Sequence, residues 1–264
     1  MPREVFGDSG SLRVAAEAGD RGRLQKVINT YPQPSASDLT WPLIIAAERG
    51  DDTTVRFLLG QGAEVDTSVM PNRRTTSSIP VLQAFLDHGW DIDSPCGIFD
   101  DRTALCFVAK NEELVQWFLE HGANPRGIFP GTHTPLDDAA YHGSFAIISL
   151  LLSRGAKLEE SHALHCATVS EAAGIPTMEF LLGLGCDINA QAMTTRRPVR
   201  SQYLGTPLHV AAEYGYPDCV TFLLERGADR TIKHQRCGTT PAEFVKGFHN
   251  PSPGKIQCYK LLKV

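Results

Sequence analysis

One short phrase recurs six times along this chain of 264 residues: two bulky apolar residues, two variable ones, then glycine. It reads Leu58-Leu59 to Gly62, Phe85-Leu86 to Gly89, Phe118-Leu119 to Gly122, Leu151-Leu152 to Gly155, Leu181-Leu182 to Gly185 and Leu223-Leu224 to Gly227. The glycines lie 27, 33, 33, 30 and 42 residues apart, a mean of 33. A period of that size marks a structural unit and has to be read before any local motif. A chain built this way grows by adding modules, so the usual bound on the size of one core does not apply.

The residues upstream of each glycine phrase share a second pattern. Its clearest copy is Thr206-Pro207-Leu208-His209-Val210-Ala211-Ala212, followed by Gly215 and then Val220, Leu223 and Leu224. Thr134-Pro135-Leu136-Asp137-Asp138-Ala139-Ala140 with Gly143, and Trp41-Pro42-Leu43-Ile44-Ile45-Ala46-Ala47 with Gly50, repeat it. Proline is tolerated in a helix at its first position, where its missing N–H would have no partner anyway. The threonine before it can cap the helix. Leucine and the two alanines then share one face. Glycine ends this short helix, and a second helix runs to the closing glycine. The residues after that glycine have turn and extended character. One unit is therefore a helix, a tight turn, a helix and an extended finger.

Two phrases in fixed order at a fixed period resemble the ankyrin repeat. The resemblance covers roughly residues 38–246 and is nearest over 205–229. It implies an all-α ankyrin-repeat solenoid of helix-turn-helix units with β-hairpin or extended fingers. The copies fall at 38–66, 101–125, 132–158, 161–189 and 205–231, with a truncated one at 67–97. A degenerate unit at 11–37 and a capping unit at 238–264 close a single domain over 1–264. Residues 190–204 form an inserted finger carrying Arg196, Arg197 and Arg200. In the fifth copy, two extra residues fall in the inter-helix turn near 171–174. The truncated copy lacks a Thr-Pro-Leu phrase, so its first helix is expected short or absent. Solenoid stability sums unit and neighbour terms, which makes 67–97 the expected weak joint.

Composition excludes several function classes. Apolar residues form 42% and charged residues 21% of the chain, as in folded proteins. The net charge of −5 gives no reason to expect nucleic acid or an anionic membrane as partner. No apolar run approaches the roughly 20 residues that cross a bilayer, and the N-terminus lacks the apolar core of a secretory signal. Seven cysteines without a Cys-x-x-Cys pair fit buried free thiols in a reducing compartment.

Catalytic signals are weak. His162, His165 and Cys166 are close in sequence, but no second ligand pair completes a zinc site. Asp137-Asp138 and Asp100-Asp101 are adjacent, and neighbours on a helix point about 100° apart. No nucleophile elbow or phosphate-binding glycine loop is present. The resemblance gives His209 and His165 a structural role, bonding the backbone of neighbouring fingers. Asp137 stands in the same slot and is expected to accept finger N–H groups instead.

The resemblance also implies where a partner would sit. In ankyrin repeats the first helices and finger tips line a concave groove. The matching positions are Glu48, Arg49, Lys110, Asn111, Tyr141, His142, Glu213 and Tyr214 on helices, with Asp100, Arg102, His133 and Tyr203 from fingers. Tyrosine and arginine are enriched at binding hot spots. The expectation is a non-catalytic, monomeric scaffold that binds another protein inside the cell, in cytoplasm or nucleus. It uses no cofactor and engages neither nucleic acid nor membrane. The alternatives are an adaptor or regulatory subunit of a larger enzyme complex, and an enzyme with a pocket near 67–100.

Overall fold

The computed structural model describes residues 9–30, 34–66, 69, 78–96, 102–127, 133–170, 174–191 and 205–263. Its contacts divide the chain into two compact units, Met1–Val108 and Ala109–Val264. Every regular element among the described residues is helical. The expected first helix of the truncated copy and most of the inserted finger lie outside those residues.

The first unit holds α1 (Ser9–Ala18), α2 (Arg21–Thr30), α3 (Ala36–Glu48), α4 (Asp52–Gly60), α5 (Ile79–Asp87) and the single turn α6 (Ala104–Phe107). Helix α1 packs on α2 and α3, α3 on α4, and α4 on α5. Leu12, Ala15, Leu43 and Ala47 are wholly buried. The small alanines allow the first helices of successive copies to approach closely.

One expectation is corrected here. Pro42 does not open its helix but lies inside α3. Ser35 and Asp38 form a capping box two turns upstream. Ser35 Oγ accepts the Asp38 N–H at 3.3 Å, and Asp38 Oδ2 accepts the Ser35 N–H at 3.0 Å. That box starts the helix before the proline is reached. Pro42 then forfeits one hydrogen bond within the helix, while its ring is buried.

The second unit holds α7 (Glu112–Glu120), α8 (Pro135–His142), α9 (Phe145–Ser153), α10 (Ala163–Thr168), α11 (Gly174–Gly183), α12 (Pro207–Tyr214), α13 (Pro217–Glu225), α14 (Pro241–Lys246) and α15 (Pro253–Leu262). First helices stack as α8, α10, α12 and α14, and α13 packs against α11 and α15. Helices α8, α12 and α14 open on proline, as the repeated Thr-Pro predicts. Three different side chains close the cap three residues after the threonine. Asp137 Oδ2 accepts the Thr134 N–H at 2.8 Å, His209 Nδ1 the Thr206 N–H at 3.1 Å, and Glu243 Oε2 the Thr240 N–H at 2.9 Å.

The closing phrase has a compact physical basis. At Gly155 the backbone turns left-handed, with φ at 102°. The next residue, Ala156, then donates its N–H back to the Leu151 carbonyl at 3.0 Å. This is the six-to-one bond of a Schellman cap. The other five copies make the same bond, from Ala63 to Leu58, Trp90 to Phe85, Ala123 to Phe118, Cys186 to Leu181 and Ala228 to Leu223, all within 2.9–3.1 Å. The first apolar residue of each pair thus supplies the capping carbonyl. Its side chain is also fully buried in all six copies.

The fingers are extended turns, and no strand occurs among the described residues. Two residues after the closing glycine, Asp91, Asn124, Asp187 and Asp229 each accept a backbone N–H two positions on, at 2.7–3.0 Å. Such Asx turns hold the chain away from helix without a paired strand.

Candidate functional site

Three buried polar residues of the second unit are bound within the fold, whereas the Thr177 hydroxyl has no hydrogen-bond partner among the described residues. His209 Nδ1 accepts the Thr206 N–H, which leaves Nε2 to donate to the Thr239 carbonyl at 3.0 Å. His165 Nε2 bonds the Gly205 carbonyl at 3.0 Å. Burial first of all drives the His165 pKa down to about 4, and burial also lowers that of His209. Both rings are therefore neutral at physiological pH. Asp137, with no exposed surface, reaches the finger as expected: its Oδ1 accepts the His162 N–H at 2.6 Å. The structural role read from the repeats thus holds for all three.

Chemical reactivity is low in the same region. Burial raises the Cys166 thiol well above its ordinary value, with Asp137 and Asp138 adding to the effect. Cys186 and Cys258 are each pushed up to about 11, again first by burial. All seven cysteines are free. Cys96, Cys106 and Cys258 are buried as expected, whereas Cys237 is exposed. Among the described residues no cluster of three or more His, Cys, Asp or Glu is placed to hold a metal.

The expected partner-facing residues divide by what already holds them. In the first unit Arg49 donates Nη1–H to the Ala16 carbonyl at 3.0 Å and so ties the copy at 38–66 to the end of α1. Arg49 and Glu48 also border an open concavity of about 280 Å³ with Glu17 and Ile45. Arg102 places its guanidinium 4.4 Å from the Phe107 ring centroid. In the second unit Asn111 caps α7 by accepting the Leu114 N–H at 3.2 Å, next to the exposed Lys110. His133 Nε2 lies 2.9 Å from Asp138 Oδ2. Asp100 and Tyr203 fall outside the described residues.

Tyr141, His142 and Tyr214, at the ends of α8 and α12, remain turned outward. Tyr141 is 43% exposed and meets the exposed His142 edge to face at 5.3 Å. Tyr214 is 40% exposed and stacks on Tyr216 at 6.0 Å. Glu213 beside it is half-buried, and its Oε2 is shut off from solvent with no hydrogen-bond partner among the described residues. Burial raises its pKa, and Lys255 opposes that only in part.

Sequence reasoning missed a second exposed group. Trp41 and Val14 are 42% and 48% exposed on α3 and α1. Arg13 joins them, 2.8 Å from Glu17 and 4.9 Å from the Trp41 ring centroid. Trp41 occupies the threonine slot of the repeated phrase, which hid it as a failed cap. The signal available was a tryptophan where the pattern calls for a small hydroxyl residue.

Comparison with known proteins agrees with this architecture. The family signature described as ankyrin repeats (3 copies) matches residues 73–162, and the single ankyrin-repeat signature matches 205–235. Ankyrin repeat protein nuc-2 of Neurospora crassa is 33% identical over 159 residues, covering 59% of this chain and 14% of that protein. E3 ubiquitin-protein ligase XB3 of Oryza sativa subsp. japonica is 33% identical over 143 residues, 50% of this chain and 31% of that protein. Ankyrin repeat and SOCS box protein 11 of Danio rerio is 33% identical over 117 residues, 42% of this chain and 36% of that protein. The chain thus spans about a third or less of these relatives. The crystal structure of the human ASB11 ankyrin repeat domain shares the fold at a TM-score of 0.55 and 18% identity, over 83% of this chain and 97% of that one. With the Thr-Pro caps, the glycine-closed second helices and the buried His and Asp bridges in place, the chain carries ankyrin repeats, at 73–162 and 205–235.

Proposed function

We propose that this chain is a non-catalytic recognition module that binds another protein through the first-helix face of its repeats. The observation that carries this reading is the outward pair Tyr141 and Tyr214, in the last turns of α8 and α12. Repeat packing consumes the buried histidines and Asp137 in bonds between copies and leaves these rings unburied. An aromatic ring held by a rigid helix loses little freedom on binding, and tyrosine is among the residues that dominate interfaces. Glu48 and Arg49, with Asp100 and Arg102 from the fingers, are assigned to partner contact in the first unit, and Lys110, Asn111, His142 and Glu213, with His133 and Tyr203 from the fingers, in the second. The module acts as a monomer in cytoplasm or nucleus, without a cofactor and without contact to nucleic acid. No helix among the described residues is long and apolar enough to cross a membrane.

A second reading is favoured by the relatives. Their ankyrin stretches sit within longer proteins, one of them named an E3 ligase and another named for a SOCS box. On this reading the chain is the adaptor part of a larger assembly whose activity resides elsewhere.

Affinity capture from the native cell tests the recognition reading. The wild-type chain should retain a discrete set of proteins that Tyr141→Ala with Tyr214→Ala loses, while helix content by circular dichroism stays unchanged. An identical retained set for both chains would defeat the assignment of this face.

A further inference from the structure

Helix α3 sets a fixed, exposed cation and an exposed indole in one row. Trp41, Ile45 and the C-cap residue Arg49 follow one another at four-residue spacing. The Arg49 guanidinium is seated on the end of α1. Its Nη1 donates to the Ala16 carbonyl at 3.0 Å, and a Cβ added to Gly19 would lie only 2.6 Å from the same nitrogen. Arg49 is nonetheless exposed, and it makes no ion pair within 4.0 Å among the described residues. It borders the open concavity of about 280 Å³ that Ile45, Glu17 and Glu48 also line. We propose that Arg49 and Trp41 form a receptor for an aspartate or glutamate side chain of the bound partner, with an apolar neighbour of that acid lying on Ile45 and Trp41.

Three observations fix the chemistry of the guest. First, the acids of the concavity are already matched. Glu17 accepts hydrogen bonds from Arg13, at 2.8 Å, and from the Trp41 indole, and Glu48 is engaged in a contact of its own. Asp20 and Asp51, which share a narrow cleft with Arg49, serve as helix caps instead. Asp20 takes the Arg23 N–H at 2.9 Å and Asp51 the Thr54 N–H at 3.0 Å. Arg49 is therefore the charge that a guest can complement. Second, the guanidinium is already positioned, and a planar fork suits a carboxylate with two parallel donors. Little freedom is lost when a partner arrives. Third, Trp41 is 42% exposed while Arg13, 4.9 Å from its ring centroid, and Glu17 hold it in place. A fixed indole beside a fixed cation offers apolar area next to a charge, the combination of residue types that dominates interfaces.

The receptor rests on the first-helix face being the binding surface, and its test separates the two. The probe is a displayed library of random linear peptides selected against the full chain. Selected peptides should share an Asp or Glu with an apolar residue beside it. Arg49→Gln should weaken such a peptide about tenfold, the size expected for one charge-assisted contact. Replacing the peptide's Asp by Asn, or its Glu by Gln, should weaken binding to the wild-type chain to the same extent and add nothing on the Arg49→Gln chain. This exchange leaves the fold of the chain untouched. Trp41→Ala should weaken the same peptide by a similar factor, and replacing the peptide's apolar residue by alanine should add nothing on that chain. Additive losses in either cycle would overturn the receptor, as would selected peptides that share a Lys or Arg in place of the acid. If peptides are selected that depend on Tyr141 or Tyr214 and are indifferent to Arg49→Gln, the receptor falls and the face remains. If none is selected, both fall.

Discussion

Asp137 Oδ1 accepts the main-chain N–H of His162 at 2.6 Å, across 25 residues of chain. The same carboxylate closes the cap of its own helix through the Thr134 N–H. One buried side chain therefore sets the start of α8 and ties the fourth copy to the fifth. Asp137→Ala would strand the buried Thr134 N–H and the half-buried His162 N–H without a replacement acceptor. We expect a loss of about 3 kcal/mol, two charge-assisted bonds less the cost of keeping the carboxylate buried. Urea unfolding of the two chains measures it, and a midpoint within error of wild type would contradict the bridging role.

His165 makes stability depend on pH. Its pKa falls to about 4 in the folded chain, against 6.5 for the exposed ring. The unfolded chain therefore takes up this proton first as the solution is acidified. The stabilisation is complete above pH 6.5 and is lost as pH falls towards 4. Over that window the loss approaches about 3 kcal/mol. Chemical denaturation at a series of pH values should show this slope, and His165→Gln should flatten it. An unchanged slope in the variant would remove His165 as its source.

The closing glycines give a paired test. Gly155 has φ at 102° with nothing within 4 Å of the site of an added Cβ, so a methyl group there meets strain without collision. Gly155→Ala should cost about 1–2 kcal/mol. Gly183 lies within α11 and is equally unobstructed, but its φ is not positive. Gly183→Ala should be neutral or stabilise by up to about 1 kcal/mol through helix propensity. Thermal midpoints that shift alike in both variants would refute the difference.

Much of this architecture was legible because the repeated letters are the ones that make the hydrogen bonds. Leu151, Gly155 and Ala156 recur together since a capping carbonyl, a left-handed turn and a returning N–H require each other. Asp137 could be read as a finger bridge because it stands where other copies place histidine. The start of α3 was not legible from the repeat. The Ser35 and Asp38 box lies outside the repeated phrase and overrides the position of Pro42. The candidate site was legible only as a face. A slot in the repeat tells which way a side chain leaves the helix, but not whether it bends back. Arg49 returns to Ala16, Asn111 caps its own helix, and Arg102 lies on Phe107. Tyr141 and Tyr214, short of reach and rigid, stay outward.

The Schellman bonds also bear on how such a chain can change length. Each is made between residues five apart within a single copy, so no closing turn borrows a partner from the next one. Insertions and deletions between one glycine and the following threonine leave the terminator of every second helix intact. Spacings from 27 to 42 residues can then coexist in one protein, and new recognition loops can be grafted at those joints without redesigning the helices on either side.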